Sequence, residues 1–399
     1  MTTFDRKPRS LGAAWPGLHE VPSGPRTAVS AAVVKRLWRA AVPRLGVEPG
    51  ELVLHRPEEF FARLGRHGLI GFGEAYMTGA WDAEDLGGVL TKYAGRMGEL
   101  VPDWLQALRA VYDARPPRHH HTSEENTREL IAHHYDLSNE LFATFLDETM
   151  SYSSALFEHP GQPLAQAQAA KIERLLDACE VGPGSTVLEI GTGWGELAIR
   201  AARRGARVRS ITLSVEQQRL ARERIAAAGL ADRVEVELCD YRAATGSYDA
   251  VVSVEMIEAV GHDYWPAYFQ TLDRLLAPGG RVGLQAITMP HGRMLATRNT
   301  FTWINKYIFP GGFLPSLEVI DEITTERTSL RRASRLSFGL DYAETLRQWD
   351  ERFLAAREQV LALGFDETFV RMWHFYLEYC RAGFASGYLD VHQVVFARA

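Results

Sequence analysis

The sequence contains very few cysteines, and their positions exclude two classes of protein. Three cysteines occur in 399 residues, at Cys179, Cys239 and Cys380. They lie far apart, without the close pairs that bind zinc or iron, and a disulfide-stapled secreted scaffold needs many more. We therefore expect unpaired thiols in a reducing cytosol and no metal site.

Long hydrophobic runs and an excess of positive charge are also missing. No segment approaches the roughly 18 to 20 apolar residues of a membrane span, and no signal-peptide pattern follows the first residues. The formal net charge of -6 argues against nucleic acid as the main partner. We expect a cytoplasmic protein that contacts a membrane only peripherally, at its inner face.

The order of apolar and polar segments predicts an α/β fold in the second part of the chain. Between residues 186 and 287, short apolar strands alternate with helical patterns. This alternation indicates a mostly parallel sheet with helices on both faces. We expect that sheet within a domain at 124–399. A smaller, mainly helical domain is expected at 1–115, with a linker of prolines and histidines at 116–123.

Three further segments carry predictions of their own. Residues 71–82 alternate glycines with aromatic residues, and we interpret them as a packed loop. The helical pattern at 29–41 has one apolar face and a basic edge; packing within its own domain is favoured, with membrane contact as the alternative. Residues 290–330 are rich in aromatics, glycine and proline, which suits a cover over an apolar ligand.

The stretch from Val187 to Gly195 organises the predicted site. It reads Val-Leu-Glu-Ile-Gly-Thr-Gly-Trp-Gly, an apolar strand that ends in an acid and a glycine turn before a helical pattern. The glycine spacing differs from that of a dinucleotide-phosphate loop, and Glu189 would repel a pyrophosphate. A carboxylate instead suits a cationic or hydroxyl-bearing ligand such as S-adenosylmethionine (SAM). The alternative is a purely structural strand-turn-helix.

Polar residues also follow the next two predicted strands, at the sheet edge where parallel sheets bind ligands. Thr212, Leu213 and Gln217 follow the second strand, and Asp240 and Tyr241 follow the third. An aspartate beside an aromatic ring suits an adenine amino group and ring stacking. The alternative role for Asp240 is a helix N-cap.

Two carboxylates follow the fourth predicted strand. Glu255 and Glu258 lie three residues apart, on what we expect to be one helical turn. Two acids that face one pocket shift each other's pKa. Such acids more often lie on a solvated face, but their position at a strand end favours the functional interpretation.

Several motifs in order resemble the cyclopropane-fatty-acyl-phospholipid synthase family, including its mycolic acid cyclopropane synthase branch. The resemblance runs from about residue 131 to the end of the sequence, and residues 73–81 look like the N-terminal domain of the members that act on phospholipids. The motifs are His134 to Asn139, Met150 to Ser153, Glu189 to Gly195, Thr212 to Gln218, Val254 to Gly261 and Tyr307 to Gly312. The resemblance implies a class I, Rossmann-like SAM-dependent methyltransferase fold.

The family resemblance also implies a reaction and a set of site residues. The reaction is methyl transfer from SAM to the cis double bond of an unsaturated phospholipid acyl chain; a base then removes a proton from the new methyl, which closes a cyclopropane ring. In the family that base is a bound bicarbonate ion. The resemblance assigns the base site to Glu258, Tyr342, Gln285, Ile287 and Ser154. With Glu189 added for its position before the turn, the expected SAM-binding residues are Tyr152, Ser153, Glu189, Gly191, Gly193, Thr212, Leu213, Gln217, Asp240 and Tyr241.

Two positions at the expected base site depart from the family pattern. Gln285 stands where the family has histidine, and Ser154 stands where it has cysteine. A glutamine still donates and accepts hydrogen bonds but does not titrate near neutral pH. If a carbon next to the cation loses its proton instead, the product is an alkene, including a methylene branch on the way to 10-methyl fatty acids.

Four functions therefore remain open from the sequence. The first is a cyclopropane-forming lipid methyltransferase, and the second is the same methyl transfer ending in a methylene branch. The third is a small-molecule C-methyltransferase, and the fourth is a lipid-binding relative without activity. The retained Glu258 and Tyr342 argue against the fourth. The resemblance also suggests a homodimer.

Overall fold

The computed structural model describes residues 15–96 and 138–398 of the chain. These residues form two compact units. The first combines the described N-terminal residues with 301–306 and 346–386, and the second contains the remaining described residues. The predicted linker at 116–123 lies outside the described residues. The predicted domain at 124–399 differs from this division, because two of its segments belong to the first unit.

The first unit is mainly helical, as predicted for the N-terminal domain. Its two short strands, β1 (Val53–Leu54) and β2 (Trp81–Asp82), pair antiparallel. Its core is aromatic, with the buried rings of Phe60, Phe72 and Trp81 in contact with one another. Its complete helices in the described part are Pro25–Ala41, Pro57–His67, Leu69–Met77, Leu86–Gly95, Arg357–Ala362 and Glu367–Ala385. A short 3-10 helix spans Val42–Leu45.

The glycine-aromatic stretch at 71–82 is not the packed loop that the sequence suggested. Most of it lies in the buried helix Leu69–Met77. A Cβ atom at Gly71 would lie 2.0 Å from the backbone oxygen of Arg63, and one at Gly73 would lie 2.6 Å from the Trp303 ring. The glycines therefore allow close packing of this helix, and tertiary contact overrides their low helix propensity.

The second unit is built on a seven-stranded sheet. Its parallel strands are β3 (Thr186–Ile190), β4 (Arg207–Thr212), β5 (Val234–Leu238), β6 (Tyr248–Val254) and β7 (Leu276–Thr288). Strand β9 (Asp390–Arg398) runs antiparallel to β7, and β8 (Leu330–Ser337) pairs antiparallel with β9 at the edge. The helices that belong wholly to this unit are Asn139–Phe145, Leu164–Ala178, Glu196–Arg203, Val215–Ala227, Ile257–Val260, Trp265–Leu275, His291–Thr297 and Leu317–Arg327.

The strand order is β5-β4-β3-β6-β7-β9-β8. The chain runs outward from β3 to β5 and then returns to β6 beside β3, so a topological switch point lies between β3 and β6. Ligands of open α/β sheets bind at such a point, at the carboxyl ends of the strands. Apolar residues pack on both faces of the sheet, around Phe269 on one side and Leu175 on the other.

Strand β8 was not predicted from the sequence. Its residues read Leu-Arg-Arg-Ala-Ser-Arg-Leu-Ser, and nearly all of them are exposed. An edge strand of this kind carries charge on its exposed positions and lacks an apolar alternation. Within residues 15–96 and 138–398, no helix is both long enough and apolar enough to cross a membrane.

Candidate active site

A cavity of about 170 Å³ lies at the switch point between β3 and β6. Its lining residues lie between Met150 and Tyr264 in the chain. Every residue predicted to bind SAM is among them, so four separate segments meet at one site. The predicted base-site residues lie elsewhere, as described below.

The glycine turn after β3 has the geometry that the sequence pattern requires. Gly191, Gly193 and Gly195 have φ values of 97°, 52° and 90°, which residues with a side chain rarely adopt. A Cβ atom at Gly191 would lie 3.1 Å from Cγ of Met256, another lining residue. The turn therefore brings bare backbone to the cavity, and the helix Glu196–Arg203 begins directly after it.

Glu189 lies at the base of this turn and is buried. Its Oε2 accepts a hydrogen bond from the Ser210 hydroxyl, and Oγ of Ser210 lies 2.7 Å from Oγ1 of Thr192. Burial raises the pKa of the Glu189 carboxyl to about 8. A buried acid with only a hydroxyl partner gains from a cationic ligand, and this fits the amino group expected for SAM.

The loops after β4 and β5 complete this side of the cavity. The hydroxyl of Thr212 donates to Oε1 of Gln217 at 2.9 Å, which fixes both side chains in the buried wall. Asp240 caps the short 3-10 helix that follows it, because its Oδ1 accepts from the backbone N–H of Arg242 at 2.9 Å. The Arg242 guanidinium also binds the same carboxylate. The N-cap alternative for Asp240 is thus correct, and the residue lines the cavity as well.

The segment before the sheet contributes Tyr152 and Ser153, together with a lysine that sequence reasoning missed. Lys171 is buried on the cavity wall, and its Nζ donates to Oγ of Ser153 at 2.6 Å. Burial lowers the pKa of Lys171 to about 8, while Glu255 and Asp147 oppose that shift. Its helix, Leu164–Ala178, reads as an ordinary amphipathic helix, so the sequence offered no signal for it.

The predicted base-site residues divide into two groups, and the first of them surrounds Glu255. Oε1 of Glu255 accepts from the backbone N–H of Ser154 at 2.9 Å and from Nε2 of Gln285 at 2.8 Å. The side chain of Tyr342 hydrogen-bonds to the same carboxyl group. Gln285 is held in turn by Gln393, whose Nε2 donates to its Oε1 at 3.0 Å. Three residues predicted to bind an external anion therefore hold a carboxylate of the chain itself.

The second group consists of Glu258 and Ile287. The backbone N–H of Ile287 donates to Oε1 of Glu258 at 2.6 Å. The other oxygen, Oε2, is buried and has no hydrogen-bond partner among the described residues. Burial and the nearby Glu255 raise the pKa of Glu258 to about 8. The two acids of this pair interact, but they do not share the expected helical turn, because Glu255 has a φ of 48° and precedes the helix Ile257–Val260. Of the two, Glu255 lines the cavity.

The segment predicted to cover an apolar ligand, residues 290–330, contacts the turn that carries Glu258. The backbone N–H of Phe313 donates to the backbone oxygen of Glu258 at 2.8 Å, and the Phe313 ring stacks on Trp265. These contacts tie the end of the predicted cover to the turn that carries the acidic pair. A role over an acyl chain stays a prediction.

Comparison with known proteins identifies relatives along most of the chain. Residues 122–394 match the family described as mycolic acid cyclopropane synthetase. The chain is 55% identical over 406 aligned residues to tuberculostearic acid methyltransferase UfaA1 of Mycobacterium tuberculosis strain H37Rv, covering 96% of this chain and 95% of that protein. It is 36% identical over 365 aligned residues to cyclopropane-fatty-acyl-phospholipid synthase of Escherichia coli K12, covering 91% of each chain.

A solved structure matches about two thirds of the chain. The crystal structure of mycolic acid cyclopropane synthase CmaA1, in complex with S-adenosylhomocysteine (SAH) and CTAB, superposes with a TM-score of 0.63 at 31% identity. It covers 67% of this chain and 97% of that one. SAH is what remains of SAM after methyl transfer, so the ligand of that structure agrees with the donor predicted here.

Proposed function

The chain belongs to the mycolic acid cyclopropane synthetase family of SAM-dependent methyltransferases, and from that premise we propose its substrate and product. The substrate is a cis-unsaturated fatty acyl chain of a membrane phospholipid, and the product carries a methylene branch. The observation that supports this reaction is the cavity at the switch point, which joins a glycine turn and buried Glu189 to the carboxylate of Glu255.

The donor end of the cavity fits SAM. Backbone at Gly191 and Gly193 makes room for the ligand, buried Glu189 suits its amino group, and Asp240 and Tyr241 suit its adenine. When bound there, SAM supplies an electrophilic methyl group. An alkene is a poor nucleophile, so the protein has to hold the double bond in line with that methyl at contact distance.

The cavity wall is also suited to a cationic stage of the reaction. Methyl transfer forms a carbon–carbon bond at one alkene carbon and leaves a positive charge on the other. The rings of Tyr152, Trp194, Tyr241 and Tyr264 line the cavity. Aromatic rings stabilise a cation through their π-faces and exclude the water that would quench it.

The more similar of the two reported relatives favours an alkene product over a ring. A hydride shift from the methylated carbon to the cationic carbon moves the charge onto the branched carbon, and loss of a methyl proton then gives an exocyclic methylene. The relative that is 55% identical is named for tuberculostearic acid, a methyl-branched fatty acid. Cyclopropane formation is the second candidate, because the 36% identical relative is a cyclopropane synthase and the Glu258–Ile287 contact of the predicted base site is present.

One exposed surface supports a membrane-bound substrate. The helix Pro25–Ala41 exposes Val29, Val33 and Leu37, which lie four residues apart along one face. Arg36 and Arg39 are exposed beside them. An apolar row with basic neighbours suits the surface of an anionic membrane, and this favours the membrane alternative for the helix.

The test is an assay of acyl methylation on vesicles. The protein is incubated with SAM and vesicles of monounsaturated phospholipid, with and without anionic lipid, and the released fatty acids are examined by mass spectrometry and proton NMR. We expect a mass increase of one CH₂ group with vinylidene protons, and faster turnover on anionic vesicles. Cyclopropyl protons would select the second candidate, and no acyl methylation would contradict both and favour a small-molecule methyltransferase.

A further inference from the structure

We propose that the Glu255 carboxylate is the general base of the reaction and takes the place of the bicarbonate ion that the family resemblance implies. This inference rests on the proposed methyl transfer to an acyl double bond. It adds a catalytic residue of the chain itself and gives Ser154, Gln285 and Tyr342 the role of positioning residues.

The first argument is position. The acids on the described cavity wall are Glu189, Glu196, Asp240 and Glu255. Glu196 binds Arg200 and Arg224, and Asp240 binds Arg242, so their charges are engaged. Glu189 lies on the donor side, below the glycine turn. Glu255 directly follows β6, the other strand at the switch point, and it meets the cavity without an arginine partner in the described contacts.

The second argument is the set of donors that surrounds Glu255. A backbone N–H, an amide N–H and a phenol converge on one carboxylate, from Ser154, Gln285 and Tyr342. Hydrogen bonds to a carboxylate favour its anionic form. An external anion at this place would have to compete with Glu255 for the same donors, so a bound bicarbonate is not needed there.

Charges near Glu255 support a proton acceptor. Burial raises the pKa of Glu255, the buried Lys171 opposes that shift, and Glu258 interacts with Glu255 electrostatically. A carboxylate whose basicity is increased by burial, and whose anionic form is favoured by hydrogen-bond donors and a nearby ammonium group, is a better general base than an exposed one.

The third argument is the backbone at this position. Glu255 has a φ of 48°, in the left-handed region that residues with a side chain seldom occupy. Its backbone N–H donates to the backbone oxygen of Gln285 at 2.8 Å. Such a conformation costs about 1–3 kcal/mol and is retained mainly at functional sites. Here it turns the Glu255 side chain out of the end of β6 and towards its donors.

The proton transfer balances for either product. One C–H bond of the transferred methyl breaks, and its proton moves to a carboxylate oxygen of Glu255. The electron pair of that bond forms the methylene double bond after the hydride shift, or the last bond of a cyclopropane ring without it. The acyl chain leaves neutral, and Glu255 returns its proton to solvent before the next turnover.

The first experiment has two arms: one removes bicarbonate from the assay, and the other removes the carboxylate of Glu255. Wild-type enzyme assayed in buffer depleted of carbon dioxide should keep its full rate of acyl methylation. Glu255→Gln keeps the size of the side chain but cannot accept the proton, so turnover should fall about 100-fold or more, as expected for loss of a general base. SAH affinity, measured by calorimetry, should change less than about threefold, because the donor end is intact.

The second experiment removes the carboxylate and asks whether bicarbonate can replace it. Glu255→Gly tolerates the positive φ and removes the carboxylate that Ser154, Gln285 and Tyr342 hydrogen-bond. Added bicarbonate should restore its turnover by about tenfold or more, whereas equal chloride should not. Glu258→Gln serves as the matched control, since it alters the neighbouring acid and should gain nothing from bicarbonate.

The outcomes separate this inference from the proposed function. A wild-type enzyme that methylates acyl chains only when bicarbonate is present would overturn the role of Glu255 and leave the function intact. Retained turnover in Glu255→Gln would overturn it too. A failure of the wild type to methylate acyl chains, with or without bicarbonate, would instead contradict the proposed function.

Discussion

The two ends of the cavity are built in different ways. At the donor end, Glu189, the glycine turn and the Thr212–Gln217 pair come from short segments whose hydrogen bonds span few residues or join adjacent strands. At the base end, Glu255 is held by groups 101 and 30 residues away, at Ser154 and Gln285. The end proposed to bind the donor is therefore encoded locally, whereas the end that contains the proposed base depends on long-range packing.

Both ends contain a buried acid, but their surroundings differ. Glu189 has a hydroxyl partner and no nearby cation in its described contacts, so its carboxyl lacks a compensating charge until a ligand arrives. Glu255 has its donors and Lys171 within the protein. The donor end is thus complementary to a cation that has yet to bind, and the base end is already organised as an anion site.

If the two ends differ in this way, the largest effect of a substitution is expected at the glycine turn, on the affinity for SAM or SAH. Gly191→Val places a branched side chain at a φ of 97°, with its Cβ only 3.1 Å from Met256. SAM or SAH affinity, measured by calorimetry, should fall about 100-fold or more, since the side chain occupies the space where the backbone meets the ligand.

The matched control for this variant is Gly229→Val. Gly229 also has a positive φ, of 71°, but a Cβ there meets nothing within 4 Å, and the residue does not line the cavity. It should lose about 1–2 kcal/mol of stability from the backbone conformation and keep its SAH affinity. An equal loss of affinity in both variants would contradict a specific role of the turn.

A smaller effect is expected at Glu258. Glu258→Gln keeps an acceptor oxygen for the N–H of Ile287 but turns the unpartnered Oε2 into a donor and removes an acid that interacts with Glu255. Turnover on acyl vesicles should fall about tenfold, less than for Glu255→Gln, because Glu258 does not line the cavity.

The SAH affinity of Glu258→Gln distinguishes the two ends of the cavity. It should stay within about threefold of the wild-type value, because the variant leaves the donor end unchanged. A loss of affinity that matches the loss of turnover would place Glu258 at the donor end and contradict the division drawn here.

The same division explains what the sequence predicted. The strands β3 to β7 followed from apolar runs, turns and glycine spacing, and the structure places the predicted residues at the ends of β3, β4 and β5 around one cavity. Each prediction depended on a local pattern and on the rule that parallel strands end at one edge. The charged edge strand β8 has no such pattern and was missed.

The arrangement around Glu255 could not be predicted without the three-dimensional structure. The family resemblance pointed to Ser154, Gln285 and Tyr342, but it did not show that Glu255 fills the space among them. Gln285 on β7 pairs with Gln393 on β9, and Gln393 orients its amide, so the hydrogen bond from Gln285 to Glu255 depends on sheet register. Lys171 gave no signal, because a lysine on an amphipathic helix normally faces solvent.

The smallest effect concerns pH and the stability of the protein without ligand. Burial holds the Glu189 pKa near 8 in the folded state, against 4.5 when exposed. Between pH 4.5 and 8 the folded state therefore binds more protons than the unfolded state, so this group lowers stability as pH rises through that window.

The variant Glu189→Gln does not lose stability in this way. The difference in Tm between the variant and the wild type should therefore grow by about 2–4 °C from pH 5 to pH 8. Glu223→Gln, an exposed carboxylate on the helix Val215–Ala227, is the control and should show a constant difference. A constant difference for Glu189→Gln as well would mean that this acid is already ionised and compensated without a ligand, and the contrast between the two ends would disappear.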